Sequence, residues 1–265
     1  MFRKPISVLG IPLNKGQKLK GVNKGPKLIY ELLTNSNFNS IKLDNFNINN
    51  NLITIKNKVK NLNPKNFNFF VGGDHSLSLG TISGLTSRSK NNVVVWIDAH
   101  TDCNNFKTST SKSLHGMPIR GLLGDLNDKY NKFKCLNKNQ IIFIGIRSID
   151  PGEIRFVNKN KIKMITMDSI NKKGLHYNLD EIKSILKNKN IHISFDVDAM
   201  DPKIISSTGK PVSKGLQLEQ INDIFKFLSK FNVTSMELVE FNPDVGNYKI
   251  SYDNLNKIIK QSFQL

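Results

Sequence analysis

Cysteine and long hydrophobic segments are both scarce in this sequence. Its 265 residues include two cysteines, Cys103 and Cys135, which are too few for a disulfide framework. No apolar run approaches the roughly 18 residues of a membrane-spanning helix, and no signal-like segment precedes the first predicted strand. These absences exclude disulfide-stabilised secreted scaffolds and spanning membrane proteins, so we expect a cytoplasmic, soluble protein with no membrane partner.

Arginine is also scarce, although the chain is strongly basic. Lys and Arg together number 39 against 21 Asp and Glu, which gives a formal charge of +18. Most of this excess is lysine scattered among asparagines, whereas arginine is the residue suited to bidentate contacts with phosphates and bases. A general bias toward Lys and Asn explains the charge more simply than a basic binding surface does, and we expect no nucleic-acid partner.

The sequence does contain short, concentrated apolar runs, despite a hydrophobic content of only 38%. Near-continuous runs of this length are typical of strands buried on both faces of a parallel sheet. The runs are Ile6–Leu9, Phe69–Gly72, Val93–Ile97, Ile141–Gly145, Ile191–Val197 and Val233–Val239. Between the last two, apolar residues from Leu218 to Leu228 follow helical spacing.

This alternation of strands and helices predicts an α/β fold. We expect one domain over residues 1–265, built as three α/β/α layers around a central, mostly parallel sheet. Two weaker signals complete the prediction of local structure. Leu52–Ile55 is a candidate strand in an Asn- and Lys-rich crossover, and Asp253 is a candidate cap of the last amphipathic helix.

Polar residues with alternating spacing follow the central predicted strand. Asp98, His100 and Asp102 stand at i, i+2 and i+4, so in extended backbone their side chains point to the same side. Taken alone, they fit a divalent metal site and a polar turn with a solvated histidine about equally well. Because ligands collect at the carboxyl ends of strands in α/β sheets, the other strand ends decide between these interpretations.

Those other strand ends carry the same residue types. His75 follows one strand, Asp196 and Asp198 follow another, Glu240 ends a fourth, and His115 lies in a polar loop after the central strand. Either histidine alone is compatible with a simple surface position. Six of the residues at the strand ends, however, provide two imidazoles and four carboxylates: His75, His100, Asp98, Asp102, Asp196 and Asp198. This set exceeds what one cation needs, and the carboxylates would repel one another without cations.

A pair of divalent cations would relieve that repulsion. An oxygen-rich ligand set without a thiolate favours Mn²⁺ over Zn²⁺, and two such ions can activate a shared water near neutral pH. The predicted chemistry is hydrolysis at a carbon or phosphorus centre, with phosphoesters, amides and amidines all open as substrates.

Three segments resemble, in order, the metal motifs of the ureohydrolase family. They are the Gly-Gly-Asp-His-Ser segment at 72–76, the Asp-Ala-His-Thr-Asp segment at 98–102 and the segment 194–202 that contains Asp-Val-Asp. Four further stretches resemble arginases more than agmatinases: 10–26, 111–118, 150–153 and 240–243. The resemblance spans about residues 5 to 245. It implies an arginase/deacetylase-like fold, hydrolysis of L-arginine to L-ornithine and urea, and a homo-oligomer, either trimer or hexamer.

The same resemblance implies two Mn²⁺ ions per subunit and a hydroxide, bridging them, that attacks the guanidinium carbon. Asp98 and Asp196 would bridge the ions. The first ion would be held by His75, Asp98, Asp102 and Asp196. The second would be held by His100, Asp98, Asp196 and Asp198.

Catalytic roles also follow from the resemblance. Glu240 would pair with the guanidinium group through a strong, directional contact. Asp102 would stabilise the tetrahedral intermediate and pass a proton to the leaving amine. His115 would act as an acid, a base or a proton shuttle, because a histidine pKa lies near the working pH.

Recognition of the amino-acid end of the substrate is implied for five residues. Asn104 and Ser111 match positions that bind an α-carboxylate, and Asp150 matches one that binds an α-amino group. Ser113 and Glu153 complete the expected substrate-binding set.

Three residues depart from the arginase pattern. Ser113 replaces the usual Asn and removes one carboxylate contact, and Ser148 replaces a usual Asp. Lys210 replaces a usual Thr near Glu240, where it would either compete with the guanidinium group or point away. The alternatives to an arginase are therefore an agmatinase, another guanidino or formimino ureohydrolase, or a metal-binding member of the family with little or no activity.

Overall fold

A seven-stranded sheet forms the centre of the computed structural model, which describes residues 5–33, 40–44 and 47–263. The strands are β1 (Ile6–Ile11), β2 (Phe67–Gly72), β3 (Asn92–Ile97), β4 (Ile141–Ile146), β5 (Lys163–Thr166), β6 (Asn190–Asp196) and β7 (Val233–Val239). Their order in the sheet is β1-β2-β7-β6-β3-β4-β5, and every pairing is parallel. The predicted α/β class with a parallel sheet is confirmed.

Helices cover both faces of this sheet, so the predicted three layers are present. In the described ranges they are α1 (Gly25–Glu31), α2 (Ile48–Lys60), α3 (Ser78–Thr86), α4 (Pro118–Leu123), α5 (Pro151–Lys159), α6 (Met167–Lys173), α7 (Leu175–Asp180), α8 (Lys183–Leu186), α9 (Leu218–Leu228) and α10 (Tyr248–Phe263). Helices α2 to α5 pack on one face, and α1 with α6 to α10 pack on the other. None of these helices is long and apolar enough to cross a bilayer.

Side-chain alternation along the strands builds the two cores. In β3, Val93, Val95 and Ile97 contribute to one hydrophobic cluster, while Val94 and Trp96 contribute to the other. All of these side chains are almost fully buried. A strand covered on both faces has no solvated side, which explains the near-continuous apolar run in the sequence.

Four neighbouring strands, β2, β7, β6 and β3, occupy the middle of the sheet. They are far apart in the sequence, but their carboxyl ends lie side by side because all of them run in the same direction. The residues that directly follow them include His75, Glu240, Asp198 and Asp98. The topology therefore brings the sequence-predicted site residues to one edge of the sheet.

Two predictions of local structure are wrong. Leu52–Ile55 lies inside α2, where Leu52, Ile55 and Val59 form a buried helical face and the Asn47 side chain accepts from the first backbone N–H groups. Similarly, α10 begins at Tyr248, so Asp253 lies inside that helix. The Oδ1 atom of Asn247 instead accepts from the backbone N–H of Ile250 at 3.2 Å, as an N-cap residue does.

Candidate metal centre

Two imidazoles and four carboxylates meet at the carboxyl edge of the sheet. The Nδ1 atom of His75 lies 3.1–3.3 Å from one carboxylate oxygen of each of three residues: Asp98, Asp102 and Asp196. The Nδ1 atom of His100 lies 3.1 Å from Asp198 Oδ2 and 3.5 Å from Asp98 Oδ1. Asp98 therefore belongs to two adjacent groups of potential ligand atoms, one around each histidine.

Backbone N–H groups fix the orientation of these carboxylates. Asp98 Oδ1 accepts from the N–H of His100 at 2.6 Å, and Asp196 Oδ1 accepts from the N–H of Asp198 at 2.8 Å. Asp198 Oδ1 accepts from the N–H of Ala99, which follows the neighbouring strand, at 3.1 Å. In each carboxylate the Oδ2 atom faces an imidazole, so the cluster is held in place before any cation enters.

The backbone itself is unusual at two of the predicted site residues. Asp102 has a φ of 47° and Glu240 has a φ of 64°. Both values lie in the left-handed region, which costs a residue with a Cβ atom about 1–2 kcal/mol. Asp102 lies in the segment after β3, and Glu240 directly follows β7. The surrounding fold imposes the left-handed conformation at both positions, and both side chains line the cavity beside the cluster.

Burial and mutual repulsion set the protonation of the cluster in the absence of cations. Burial and the charges of Asp198 and Asp98 raise the pKa of Asp196 well above its usual range, and burial with the Asp98 charge raises the pKa of Asp198 to about 6. Burial alone would lower the pKa of His100, but the charge of Asp198 and its hydrogen bonds raise it to about 12. Protons therefore balance part of the negative charge.

The cluster nevertheless fits cations better than it fits protons. Although three carboxylate oxygens surround it, the buried Nδ1 atom of His75 has no hydrogen-bond partner in the described part of the chain. Separations near 3 Å are those expected between neighbouring ligand atoms around a small divalent cation with bonds of ~2.1 Å. We therefore infer that divalent cations would occupy the space that these atoms face.

Cation binding is expected to release protons from this cluster. Burial lowers the pKa of His75, but Asp102, Asp196 and Asp98 raise it well above its usual value, so both imidazoles are protonated near neutral pH. A cation must displace those protons, and raising the pH removes the competitor. We predict that Mn²⁺ affinity rises from about pH 6 to about pH 9, with protons released on loading near neutral pH.

Calorimetric titration with Mn²⁺ in buffers of different ionisation enthalpy measures this proton release directly. An affinity that is independent of pH, with no proton released, would contradict the protonation state given above.

A cavity of about 170 Å³ opens next to the cluster. Its lining contains many of the predicted functional residues: His100, Asp102, Asn104, His115, Asp150, Glu153, Asp196, Asp198 and Glu240. Within it, the Asn104 side chain donates to Asp150 Oδ2 at 2.8 Å. Two residues predicted to bind the substrate, Ser111 and Ser113, lie in the described part of the chain but do not line this cavity. Ser111 Oγ accepts instead from the backbone N–H of Ser113.

Glu240 occupies a buried position in this cavity with three partners. Its Oε1 atom accepts from the backbone N–H of His75 at 2.9 Å and lies 3.1 Å from His115 Nδ1, while its Oε2 atom accepts from Gln17 at 2.9 Å. Burial raises the pKa of Glu240, but His115 outweighs it and the net pKa is lowered. Burial lowers the pKa of His115, but Glu240 outweighs it and the net pKa is raised. Each partner therefore favours the charged form of the other.

Glu153 stabilises the loop that carries Asp102. Its Oε1 atom accepts from the backbone N–H of Cys103 at 2.8 Å, and its Oε2 atom accepts from the N–H of Asp150 at 3.0 Å as part of a capping box at the start of α5. Glu153 lines the cavity, but its hydrogen bonds hold backbone. Glu153 therefore has two roles: it contributes to the cavity lining, and it holds the backbone at Cys103 and Asp150.

Gln17 and Arg147 were not singled out by the sequence analysis. Gln17 reaches Glu240 because the preceding Gly16 donates its N–H to buried Asp74 at 2.8 Å, in a space that leaves no room for a Cβ atom. The guanidinium group of Arg147 donates to backbone carbonyls of the segment that follows β6, including that of Asp198 at 2.8 Å. Gln17 follows β1 and Arg147 follows β4, and this position after a strand end is the sequence feature that could have identified both residues.

The residues that depart from the arginase pattern also have defined positions. Ser148 and Lys210 both line the cavity. Lys210 is exposed, and among the described residues its ammonium group makes no ion pair with Glu240. The sequence left two orientations open for Lys210, toward Glu240 or away from it. The structure shows the second, and Glu240 contacts His115 and Gln17 instead.

Fold and site together define a class of protein, a three-layer α/β protein with a centre suited to divalent cations at the carboxyl edge of its parallel sheet. The Arginase family model matches residues 4–263 of the chain. The chain belongs to the arginase family, whose members are hydrolases that act on carbon–nitrogen bonds of amidines. The resemblance found in the sequence is confirmed.

Individual relatives agree with this assignment. Arginase-1 of Rattus norvegicus is 32% identical over 278 residues, covering 92% of this chain and 86% of the rat protein. The solved arginase of Entamoeba histolytica in complex with L-ornithine is similar with a TM-score of 0.92 at 28% identity, covering 100% of both chains. A formimidoylglutamase from Bacillus subtilis shares the fold, with a TM-score of 0.87 at 22% identity over 98% of this chain and 86% of that one.

Proposed function

We propose that the chain is an arginase that hydrolyses L-arginine to L-ornithine and urea with two Mn²⁺ ions. One observation carries the proposal: a buried, ionised carboxylate, Glu240, lines the same cavity as the cation cluster and as the Asn104–Asp150 pair. That cavity offers a partner for a guanidinium group next to the hydrolytic centre, and polar groups for an amino-acid end.

The proposed ligands of the two ions are His75, Asp98, His100, Asp102, Asp196 and Asp198. Four carboxylates balance the charge of two divalent cations, and the oxygen-rich donor set favours Mn²⁺ over Zn²⁺. When bound, such a pair of ions supplies Lewis-acid activation of water near neutral pH. The remaining steps are performed by side chains of the chain itself.

Glu240 would orient the substrate. Its two oxygens already accept from N–H donors on either side, so a guanidinium group can replace the donor from Gln17 or His115 with little rearrangement. A carboxylate and a guanidinium group form a strong, directional pair. The planar carbon would then be held beside the cluster, where water attacks it.

His115 and Asp102 would move the protons. Glu240 raises the pKa of His115 and thereby favours the protonated ring, which lies in the cavity at hydrogen-bond distance from Glu240. The carboxylate of Asp102 lines the same cavity beside the cluster, where it can take up a proton. Either group can deliver a proton to the departing amine.

The charge of the cavity favours a second candidate, a ureohydrolase for a guanidino or formimino acid. Lys210 adds an ammonium group to the lining, and Ser148 provides no carboxylate there. A positive charge at this place stabilises a substrate tail with a carboxylate and disfavours the cationic tail of agmatine. An agmatinase is therefore the least favoured of the alternatives.

A substrate panel with added Mn²⁺ tests the proposal. The panel contains L-arginine, agmatine, guanidinobutyrate and formiminoglutamate, with urea measured for the first three and glutamate for the last. L-Arginine is expected to have the largest kcat/KM. Hydrolysis of another member of the panel without hydrolysis of arginine would refute the arginase assignment, and Mn²⁺ binding without any turnover would favour a non-catalytic protein.

The Lys210→Thr variant, assayed on the same panel, tests the role of the charge. Because Lys210 is exposed, we expect a modest change, about fivefold in favour of agmatine relative to arginine. Lys203→Thr, which removes a lysine outside the cavity lining, is the matched control and should leave the ratio unchanged.

For location and assembly, the proposal follows the predictions made from the sequence. We propose a cytoplasmic homo-oligomer that binds neither membranes nor nucleic acid and consists of a single domain.

A further inference from the structure

Glu237 is a fully buried carboxylate in the middle of β7 that the proposed chemistry does not use. A charge in such a place is costly unless hydrogen bonds compensate it. Three hydroxyl groups provide that compensation, since Ser78, Thr81 and Ser194 all donate to the carboxylate of Glu237. The bonds from Thr81 and Ser194 are 2.6 and 2.7 Å long.

Glu237 is ionised in this environment. Burial raises its pKa, but His192, His75 and Ser78 outweigh burial and lower the pKa to about 2. An ionised carboxylate can only accept hydrogen bonds, so each of the three hydroxyl protons must point toward it.

This fixes the direction of the next hydrogen bond in the chain. Ser194 Oγ also lies 2.8 Å from His75 Nε2, and its single proton is already donated to Glu237. Ser194 must therefore accept from His75, which means that Nε2 carries a proton. The other ring nitrogen, Nδ1, is the one that faces Asp98, Asp102 and Asp196.

We infer that Glu237 is a positioning residue that acts through Ser194 to hold the His75 ring in one orientation and one tautomer, with Nδ1 presented to a cation. The inference depends on the metal-ligand role of His75 and deepens the proposed function. Hydrogen bonds behind a metal-ligating histidine commonly fix its tautomer and raise its basicity, and losing one typically lowers metal affinity about 10- to 100-fold.

The Glu237→Gln substitution would remove the constraint on the direction of the Ser194 hydroxyl. An amide can donate as well as accept, so the Ser194 hydroxyl is free to turn and donate to Nε2. The neutral ring would then carry its proton on Nδ1, where it competes with the cation.

The experiment must distinguish this role of Glu237 from a second one, the compensation of the buried side chain of His192. Its Oε1 atom also lies 3.5 Å from His192 Nε2, and His192 Nδ1 is hydrogen-bonded to Ser235 Oγ at 2.9 Å. Glu237 would then only compensate a buried histidine on the side away from the cluster. Ser194 lies in β6 opposite Glu237, and Ser235 lies in β7 opposite His192. Both serines are fully buried and therefore form a matched pair.

The test measures Mn²⁺ binding to the full chain by the electron paramagnetic resonance signal of free Mn²⁺. We expect Glu237→Gln and Ser194→Ala to weaken one of the two ions about 10- to 100-fold, and Ser235→Ala to change neither affinity more than about twofold. The double variant Glu237→Gln/Ser194→Ala should bind no more weakly than the weaker single variant, because both changes act on one hydrogen-bond chain.

Unchanged affinity in Ser194→Ala would overturn the inference, as would an equal loss in Ser235→Ala, and thermal unfolding of the cation-free proteins controls for lost stability. The serine variants decide the matter if Glu237→Gln does not fold. Because binding is measured without substrate, failure of the arginase assignment on the substrate panel would leave this result standing.

Discussion

Asp98→Asn is expected to abolish hydrolysis. Asp98 is the carboxylate that both groups of potential ligands share, so its loss weakens both cation positions at once. Both of its oxygens also accept from N–H groups, of Trp96 at 2.9 Å and of His100 at 2.6 Å, which a single amide oxygen cannot satisfy together. We expect kcat to fall at least 10³-fold, equivalent to about 4 kcal/mol of transition-state stabilisation.

Metal content after gel filtration, measured together with kcat, checks the cause. The variant should retain one ion or none, whereas the parent protein retains two. Asp201→Asn is the matched control, because Asp201 is a buried carboxylate after the same strand end as Asp198 but belongs to neither group of potential ligands and accepts from backbone N–H groups, including those of Lys203 and Gly215. Two retained ions and near-normal kcat in Asp98→Asn would show that Asp98 does not bridge.

Glu240→Gln is expected to have the second-largest effect and to leave the metal content unchanged. The amide keeps the shape of the side chain but removes the charge that would face the guanidinium group. Loss of a charge-assisted pair in a buried site should lower kcat/KM for L-arginine about 10²- to 10³-fold. Gln17→Ala removes only a neutral donor to the same carboxylate and should cost less than about tenfold.

The pH profile of the Glu240→Gln variant provides a second readout. Glu240 raises the pKa of His115, so removing its charge lets that pKa fall. If protonated His115 donates the proton to the leaving amine, the basic limb of kcat against pH should move to lower pH in the variant. A basic limb at the same pH would exclude His115 from this step.

Much of the fold was predictable because each central strand is buried on both faces and therefore has an apolar run with polar residues directly after it. Spacing alone identified Asp98, His100 and Asp102 as candidates at one strand end. The extended backbone assumed for them is wrong, because the chain bends after Ile97 and Asp102 has a left-handed φ. Their approach to His75 could not be obtained from spacing, since it depends on the order β2-β7-β6-β3, which local sequence does not specify.

The missed features have long-range or ambiguous causes. Gln17 contacts a carboxylate that lies 223 positions away in the chain, and Glu237 is a single charge inside an apolar run. Leu52–Ile55 was too short to show the helical period that Val59 completes. Ser111 and Ser113 belong to a loop whose side-chain directions are set by hydrogen bonds within the loop, including the one from Ser113 to Ser111.

The left-handed backbone of Asp102 and Glu240 has a consequence for directed evolution. Glycine adopts such a φ without steric cost. At position 102 it would relieve both the backbone strain and the repulsion among the carboxylates, while removing a carboxylate from the cavity; at position 240 it would also leave the backbone N–H of His75 without its acceptor. A library screened only for survival at high temperature would therefore enrich inactive sequences at the codon of Asp102, where thermal stability and turnover are opposed.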